Sequence, residues 1–279
     1  MTLTGKALRM IERHLDRDLT LGEIARSCGV SSYHLAHAFG ESAGVSVMQY
    51  VRARRLTAAA QALAMGAPDI LHLALDAGYG SHEAFTRAFR AQFGCTPEMV
   101  RRKAKTEDLA MIEAMKIPDD GRAELEAPRI VAGKPMLVVG LAERHAFSDP
   151  KDIPGQWQKF MALYGEIPDK ANPIPIGVSA NMDEDGNFEY FCAVEVARFS
   201  SAPRGLKQLR IPAQTYALFH HRDHVAKIGA TYAAIWNRWL PDNNRAVADG
   251  PSIERHLETF DPRTGLGGVE IWIPIKDAA

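Results

Sequence analysis

The sequence predicts two domains of different class. Residues 1–105 read as an all-α domain built on two helix-turn-helix units. Residues 126–279 read as an α+β domain with duplicated βαββ repeats, an antiparallel sheet and two helices on one face. Three observations carry this expectation. A helix, glycine turn and capped helix occur twice, about 50 residues apart. From about residue 126 the rhythm becomes strand, helix, strand, strand, and then repeats. Charge divides the same way: residues 1–105 carry 14 Lys and Arg against 9 Asp and Glu, the remainder 19 against 25. A basic module joined to an acidic one fits nucleic-acid binding confined to the first part.

The elements follow in order. Residues 4–16 form an amphipathic helix, with Ala7, Leu8, Ile11 and Leu15 on one side and Lys6, Arg9, Glu12 and Arg13 on the other. In the first helix-turn-helix, Leu21, Ile24, Ala25 and Cys28 mark a buried face and Gly29 ends the helix. Ser31 or Ser32 caps the next helix, whose apolar face is Leu35 and Phe39, leaving Tyr33, Ala36 and His37 looking outward. A connecting helix runs from about Val47 to Met65, packed through Tyr50, Val51, Leu56, Ala59 and Leu63, and ends at Gly66 and Pro68. The second unit repeats the first: Ala74 and Gly78 match Ala25 and Gly29, and Phe85 and Phe89 match Leu35 and Phe39. The tails agree as well, Gly44-Val45-Ser46 and Gly94-Cys95-Thr96-Pro97.

Residues 5–105 thereby resemble the DNA-binding domain of the AraC/XylS family of bacterial transcription regulators. The resemblance is carried by Leu35, Phe39, Tyr50, Arg55-Leu56, Ala59, Ala74 to Tyr79, Phe85 to Phe89 and Gly94 to Pro97. It implies that the second helix of each unit enters a major groove, the two about 34 Å apart. Candidate DNA contacts are then Ser32, Tyr33, Ala36 and His37 in the first unit, and Ser81, His82, Glu83, Thr86 and Arg87 in the second. His37 stands where the family commonly has arginine, and Glu83 can accept from a cytosine amino group. The resemblance also implies that Arg55 is structural.

After Arg101-Arg102-Lys103 a polar, helical stretch leads to the turn-rich Ile117-Pro118-Asp119-Asp120-Gly121, so residues 106–125 are expected to be a linker. In the second domain, residues 136–143 read as a strand and 152–164 as a helix with Trp157, Phe160, Met161 and Tyr164 on one face. Residues 176–181 and 188–196 read as strands around a turn at 183–187. The repeat places a strand at 213–221, a helix at 227–240 and strands at 252–260 and 268–275. Residues 128–276 resemble the GyrI-like (SOUL-related) ligand-binding domain through Tyr216 to His221, Trp239-Leu240-Pro241, Asp249 to Glu254 and Val269 to Ile275. The family's usual His-x-Gly reads His221-Arg222-Asp223 here. The resemblance implies a pocket between the repeats lined by Glu254 and Glu270, with Trp157, Tyr190, Trp236 and Trp272 as candidate aromatic walls. A carboxylate among such rings suits a cationic or aromatic compound.

Other chemistry is sparse. His221 and His224 are spaced as metal ligands can be, but no third ligand accompanies them, so no metal or other cofactor is expected. Cys28, Cys95 and Cys192 are scattered and read as buried thiols. No apolar run suits a membrane span, and the expected compartment is the cytoplasm. The expected function is a transcription regulator that binds promoter DNA and senses a small molecule, with RNA polymerase a further partner if it activates. Two other readings stay open for the C-terminal half: a glutamate-dependent hydrolase and a protein-interaction module.

Overall fold

The computed structural model describes residues 1–115, 125–146, 152–183, 186–200, 203–243 and 245–276. The expected break at 117–121 and part of the turn at 183–187 lie outside them. The first domain is seven helices: α1 (Leu3–Arg13), α2 (Leu21–Ser27), α3 (Ser32–Ala43), α4 (Val47–Ala64), α5 (Ile70–Asp76), α6 (His82–Phe93) and α7 (Pro97–Lys103). Each start has a side-chain cap. Thr20 and Glu23 form a capping box on α2, and Ser46 with Gln49 forms another on α4. Ser31 caps α3, and Ser81 caps α6 by accepting from the amide of Ala84 at 3.2 Å.

Two arginines bind the helical domain together. Arg54 pairs through Nε and Nη2 with the Glu12 carboxylate at 2.9 and 2.8 Å, tying α4 to α1. Arg55 is buried and donates to the carbonyls of Leu15 and Arg17, the structural part expected of it. Its guanidinium fills the space beside Gly78, where an added Cβ would lie 2.6 Å from Nη1. Gly78 also has φ +81°, so the turn of the second unit needs glycine on two counts.

Residues 105–115 do not continue as the expected helix. They lie along α4, where the Ile112 amide donates to Thr57 Oγ1 at 3.1 Å and the Met115 amide to the Tyr50 hydroxyl at 3.0 Å. The polar composition suggested helix, but the segment turns at 106–109 and α4 supplies partners for its non-helical backbone.

The second domain is one eight-stranded antiparallel sheet: β1 (Arg129–Gly133), β2 (Met136–Ala146), β3 (Ile176–Ala180), β4 (Asn187–Val196), β5 (Lys207–Ile211), β6 (Gln214–His221), β7 (Ser252–His256) and β8 (Val269–Pro274). Strand order is β1-β6-β8-β7-β3-β4-β2-β5. Helices α8 (Ile153–Leu163) and α9 (Ile228–Ala234) separate the strands of each half, and α9 runs on into a π-helical turn at Ile235–Trp239. The duplicated unit is therefore present, with an additional short strand before each copy. Those two strands, β1 and β5, were not expected. Each is five residues long, and each crosses to the edge of the other half.

The β3–β7 pairing joins the halves at the sheet's centre. Residues paired across an antiparallel ladder share a face. Gly177, Glu254 and Ile271 are paired in a row, and Gly177 with Cys192, so these lie on one face, with Tyr190 two residues along β4. That face carries α8 and α9, seated by Phe160 and by Ile235 and Trp236. The opposite face has a core of its own, formed by Met136, Val138, Val178, Phe191, Tyr216 and Ile253.

The α9 side of the sheet and helices α1 to α4 share one continuous hydrophobic core. The two domains are therefore packed together rather than strung on a free linker.

Candidate functional site

The centre of the helix-bearing face holds a carboxylate. Glu254 points between α8 and α9, and each of its oxygens accepts a phenol: Tyr190 donates to Oε2 at 2.7 Å and Tyr232 to Oε1 at 2.9 Å. Burial raises the pKa of Glu254, while these hydrogen bonds and the nearby His221 oppose the rise. Both tyrosines are pushed well above their ordinary value, first by burial and next by the Glu254 charge. The Trp157 indole on α8 sits beside the Tyr190 hydroxyl. No Lys or Arg pairs with Glu254 among the described residues. An enclosed carboxylate is costly without donors or a cation beside it, and here the two phenols supply the donors.

Three of the six expected pocket residues, Glu254, Tyr190 and Trp157, meet here. Glu270 and Trp272 do not, and this corrects the expectation. Their register pairs them with Arg255 and Ile253, so they project from the opposite face. There Trp272 donates to Glu270 at 3.2 Å, Arg129 reaches Glu270 at 3.1 Å, and Arg255 stacks over Trp272 at 4.9 Å. Glu270 is thus satisfied by its own neighbours. Sequence pattern does not separate the two strand glutamates, whose positions in the ladder differ by one.

Trp236 is also elsewhere. It is fully buried at the seam between the domains, stacked on His37 of α3 with ring centroids 4.4 Å apart and planes 4° from parallel. Its carbonyl, in the π-helical turn, meets His34 Nε2 at 2.8 Å. Asn237 accepts from the Thr4 amide and hydroxyl at 2.9 and 2.7 Å, and donates to Ala38 O and Ser42 Oγ at 3.2 and 2.9 Å. Tyr33 donates to the Gly250 carbonyl at 3.2 Å.

The outward-facing residues of α3 therefore require a second correction. Tyr33 and His37 are turned to Trp236 of the C-terminal domain, and Ala36 and His37 are buried. Burial lowers the His37 pKa to about 3, so the ring is neutral in this seam. Ser32 lies at the start of the same helix, next to the capping Ser31. Helical periodicity showed correctly that these side chains leave their own domain's core, but could not show what covers them.

The second unit is open. His82, Glu83, Thr86 and Arg87 line a groove along α6, together with Arg90, which the sequence reading did not include. Glu83, Arg87 and Arg90 are exposed. His82 Nε2 lies 3.1 Å from Glu98 on α7. Ser81 spends its hydroxyl on the cap. Arg90 lies three residues after Arg87, a spacing that puts both on one helical face.

The remaining sequence candidates are quickly placed. His221 Nδ1 meets Thr231 Oγ1 at 2.8 Å, and its Nε2 the His224 carbonyl at 3.1 Å. Cys192 is buried, whereas Cys28 and Cys95 are half-buried. Among the described residues no group of three or more His, Cys, Asp or Glu is placed to hold a metal, and no helix is long and apolar enough to cross a membrane.

Comparison with known proteins gives a consistent result. Residues 126–276 match the family model of the GyrI-like small molecule binding domain, and residues 6–103 match a helix-turn-helix domain model. Transcriptional regulator Rob of Salmonella typhimurium is 25% identical over 280 residues, covering 95% of each chain. Regulatory protein SoxS of Escherichia coli K12 is 34% identical over 93 residues, 33% of this chain and 87% of its own. A protein solved with bound tetraphenylphosphonium superposes with a TM-score of 0.46 at 18% identity, over 54% of this chain and 94% of its own.

Proposed function

The chain belongs to the GyrI-like small-molecule-binding family and carries an AraC-type helix-turn-helix domain ahead of it; from this we propose a cytoplasmic regulator that reads promoter DNA through α6 and answers to an organic cation bound at Glu254. It is a DNA-binding transcription regulator with a small-molecule-sensing domain. The observation that carries the finer reading is the Glu254 carboxylate, held by Tyr190 and Tyr232 with no cation beside it among the described residues. Trp157 and the two phenol rings offer π faces to a cation, which adds to the charge attraction in an enclosed site. Glu254 acts as a counter-charge and not as a hydrolytic base, so the effector is recovered unchanged.

On the DNA side, Arg87 and Arg90 supply the positive charge, and Arg87 the bidentate fork that reads guanine. Contact of Ser32, Tyr33, Ala36 and His37 with a second groove requires the C-terminal domain to leave α3. RNA polymerase is the further partner where the outcome is activation.

The test is footprinting of the full chain on its own upstream DNA. Arg87→Ala is expected to weaken specific binding by about 1–3 kcal/mol and relax one base position. His82→Ala should act in the same direction. Unchanged footprints in both variants would remove α6 from the reading. In parallel, titration with tetraphenylphosphonium should saturate the wild-type chain and fail for Glu254→Gln.

A further inference from the structure

Glu41 lies on α3, in the DNA-binding domain, yet its carboxylate faces the C-terminal domain. Its Oε2 is 3.7 Å from where a Cβ would stand at Gly229, on the first turn of α9. Tyr232, which holds Glu254, is three residues further along the same helix. The charge of Glu254 acts on Glu41, and that of Glu41 on Tyr232. Among the described residues, no donor and no cation is paired with the Glu41 carboxylate.

The rest of α3 fits a wall better than a reading helix. It contains no Lys or Arg, and it turns Tyr33, His34 and the neutral ring of His37 to the C-terminal domain. Freed from this seam and ionised, a carboxylate on that helix would repel DNA phosphates. Beside an enclosed cation, the same carboxylate is attractive.

We propose that Glu41 is a second counter-charge of the effector site, so that the organic cation is held between the two domains and α3 forms one wall of its pocket. This rests on Glu254 being the cation site. Because the wall belongs to the DNA-binding half, the ligand has different contacts in the docked and separated arrangements, which is the condition for it to shift one toward the other.

The charged and titratable groups facing Glu41 are Glu254 from β7 and Tyr232 from α9, with Tyr190 from β4 and His221 from β6 acting on Glu254. Burial, and then the Glu254 charge, push Glu41 up to about 8, so it holds its proton at neutral pH. An arriving cation favours the ionised form and releases that proton.

The test is calorimetric titration of the full chain with tetraphenylphosphonium at pH 7, in two buffers of different ionisation enthalpy. The wild-type chain is expected to release protons on binding. Glu41→Gln should bind about tenfold more weakly and release fewer. Glu41→Lys, which places a tethered ammonium in the site, should lose binding by about a hundredfold while melting as a folded protein. Glu254→Gln probes the underlying pocket. If it loses binding while both Glu41 variants match the wild type in affinity and proton count, the role of Glu41 is overturned and the pocket stands. If Glu254→Gln binds normally, or the wild type does not bind at all, both readings fall.

Discussion

Single side chains set the chemistry of the pocket, and two of them make direct tests of it. Gly177 is paired with Glu254 across β3 and β7, and a Cβ there would collide with the Tyr190 hydroxyl and lie 2.9 Å from Glu254 Oε2. The phenol can hold the carboxylate only because that position is bare. Gly177→Ala is expected to displace Tyr190 and lower tetraphenylphosphonium affinity by about tenfold or more, with the sheet's circular dichroism retained; full affinity in this variant would show that the Tyr190–Glu254 bond is dispensable. Glu41 gives a pH signature. Its folded pKa is raised above the unfolded value, so the folded state holds the extra proton between roughly pH 4.5 and 8. That contribution to stability is complete below the unfolded pKa and fades as pH rises through the folded one. Relative to Glu41→Gln, wild-type melting temperature should therefore fall between pH 5 and 8. A constant difference across that range would contradict the raised pKa.

At the scale of elements, α3 and α6 share one pattern of caps and buried positions but have different surroundings. Both begin at a capping serine and end at a left-handed glycine, and both bury two aliphatic or aromatic residues four apart. These features were legible because they depend on local backbone chemistry. The destination of the outer face was not legible, since it depends on what the tertiary fold brings against it. The π-helical turn at Ile235–Trp239 is such a partner: it presents Trp236, its carbonyl and Asn237 to α3 and α1. No sequence pattern marked it. Truncating Trp236 to alanine would empty a fully buried aromatic site at this seam and should cost about 3–5 kcal/mol of stability in denaturant unfolding. A loss below about 1 kcal/mol would mean that the seam collapses onto the gap. The β1 and β5 strands are another case. Five residues carry too little periodicity to declare themselves, and only pairing with the opposite half makes them strands.

For the whole molecule, the seam ties the reading and sensing halves together through neutral imidazoles. Burial lowers His34, and lowers His37 to about 3, so His37 stays unprotonated while packed. Separation of the domains returns them toward the ordinary value near 6.5. The contribution of His37 to docking is therefore full above about pH 6.5 and is lost as pH falls toward 3, and His34 acts in the same direction. Acidification from pH 7 to 5 should favour the separated arrangement, seen as a larger radius of gyration in solution scattering, and His37→Phe should blunt the change. Equal radii at both pH values would argue against the seam as a titrating contact. The sequence by itself determined the two fold classes, the caps, the structural Arg55 and the presence of Glu254 in a ligand-binding domain. The fold classes and caps are written in local periodicity and turn chemistry, while Arg55 and Glu254 were implied by the family resemblances that neighbouring residues carry. Only the tertiary structure decided that Glu270 and Trp272 lie behind the sheet, that Tyr232 shares Glu254, and that Glu41 of α3 lies beside Gly229, one turn of α9 before Tyr232. Register, strand exchange and domain docking bring together residues that no local pattern connects, because the energy that fixes them is burial shared between distant segments.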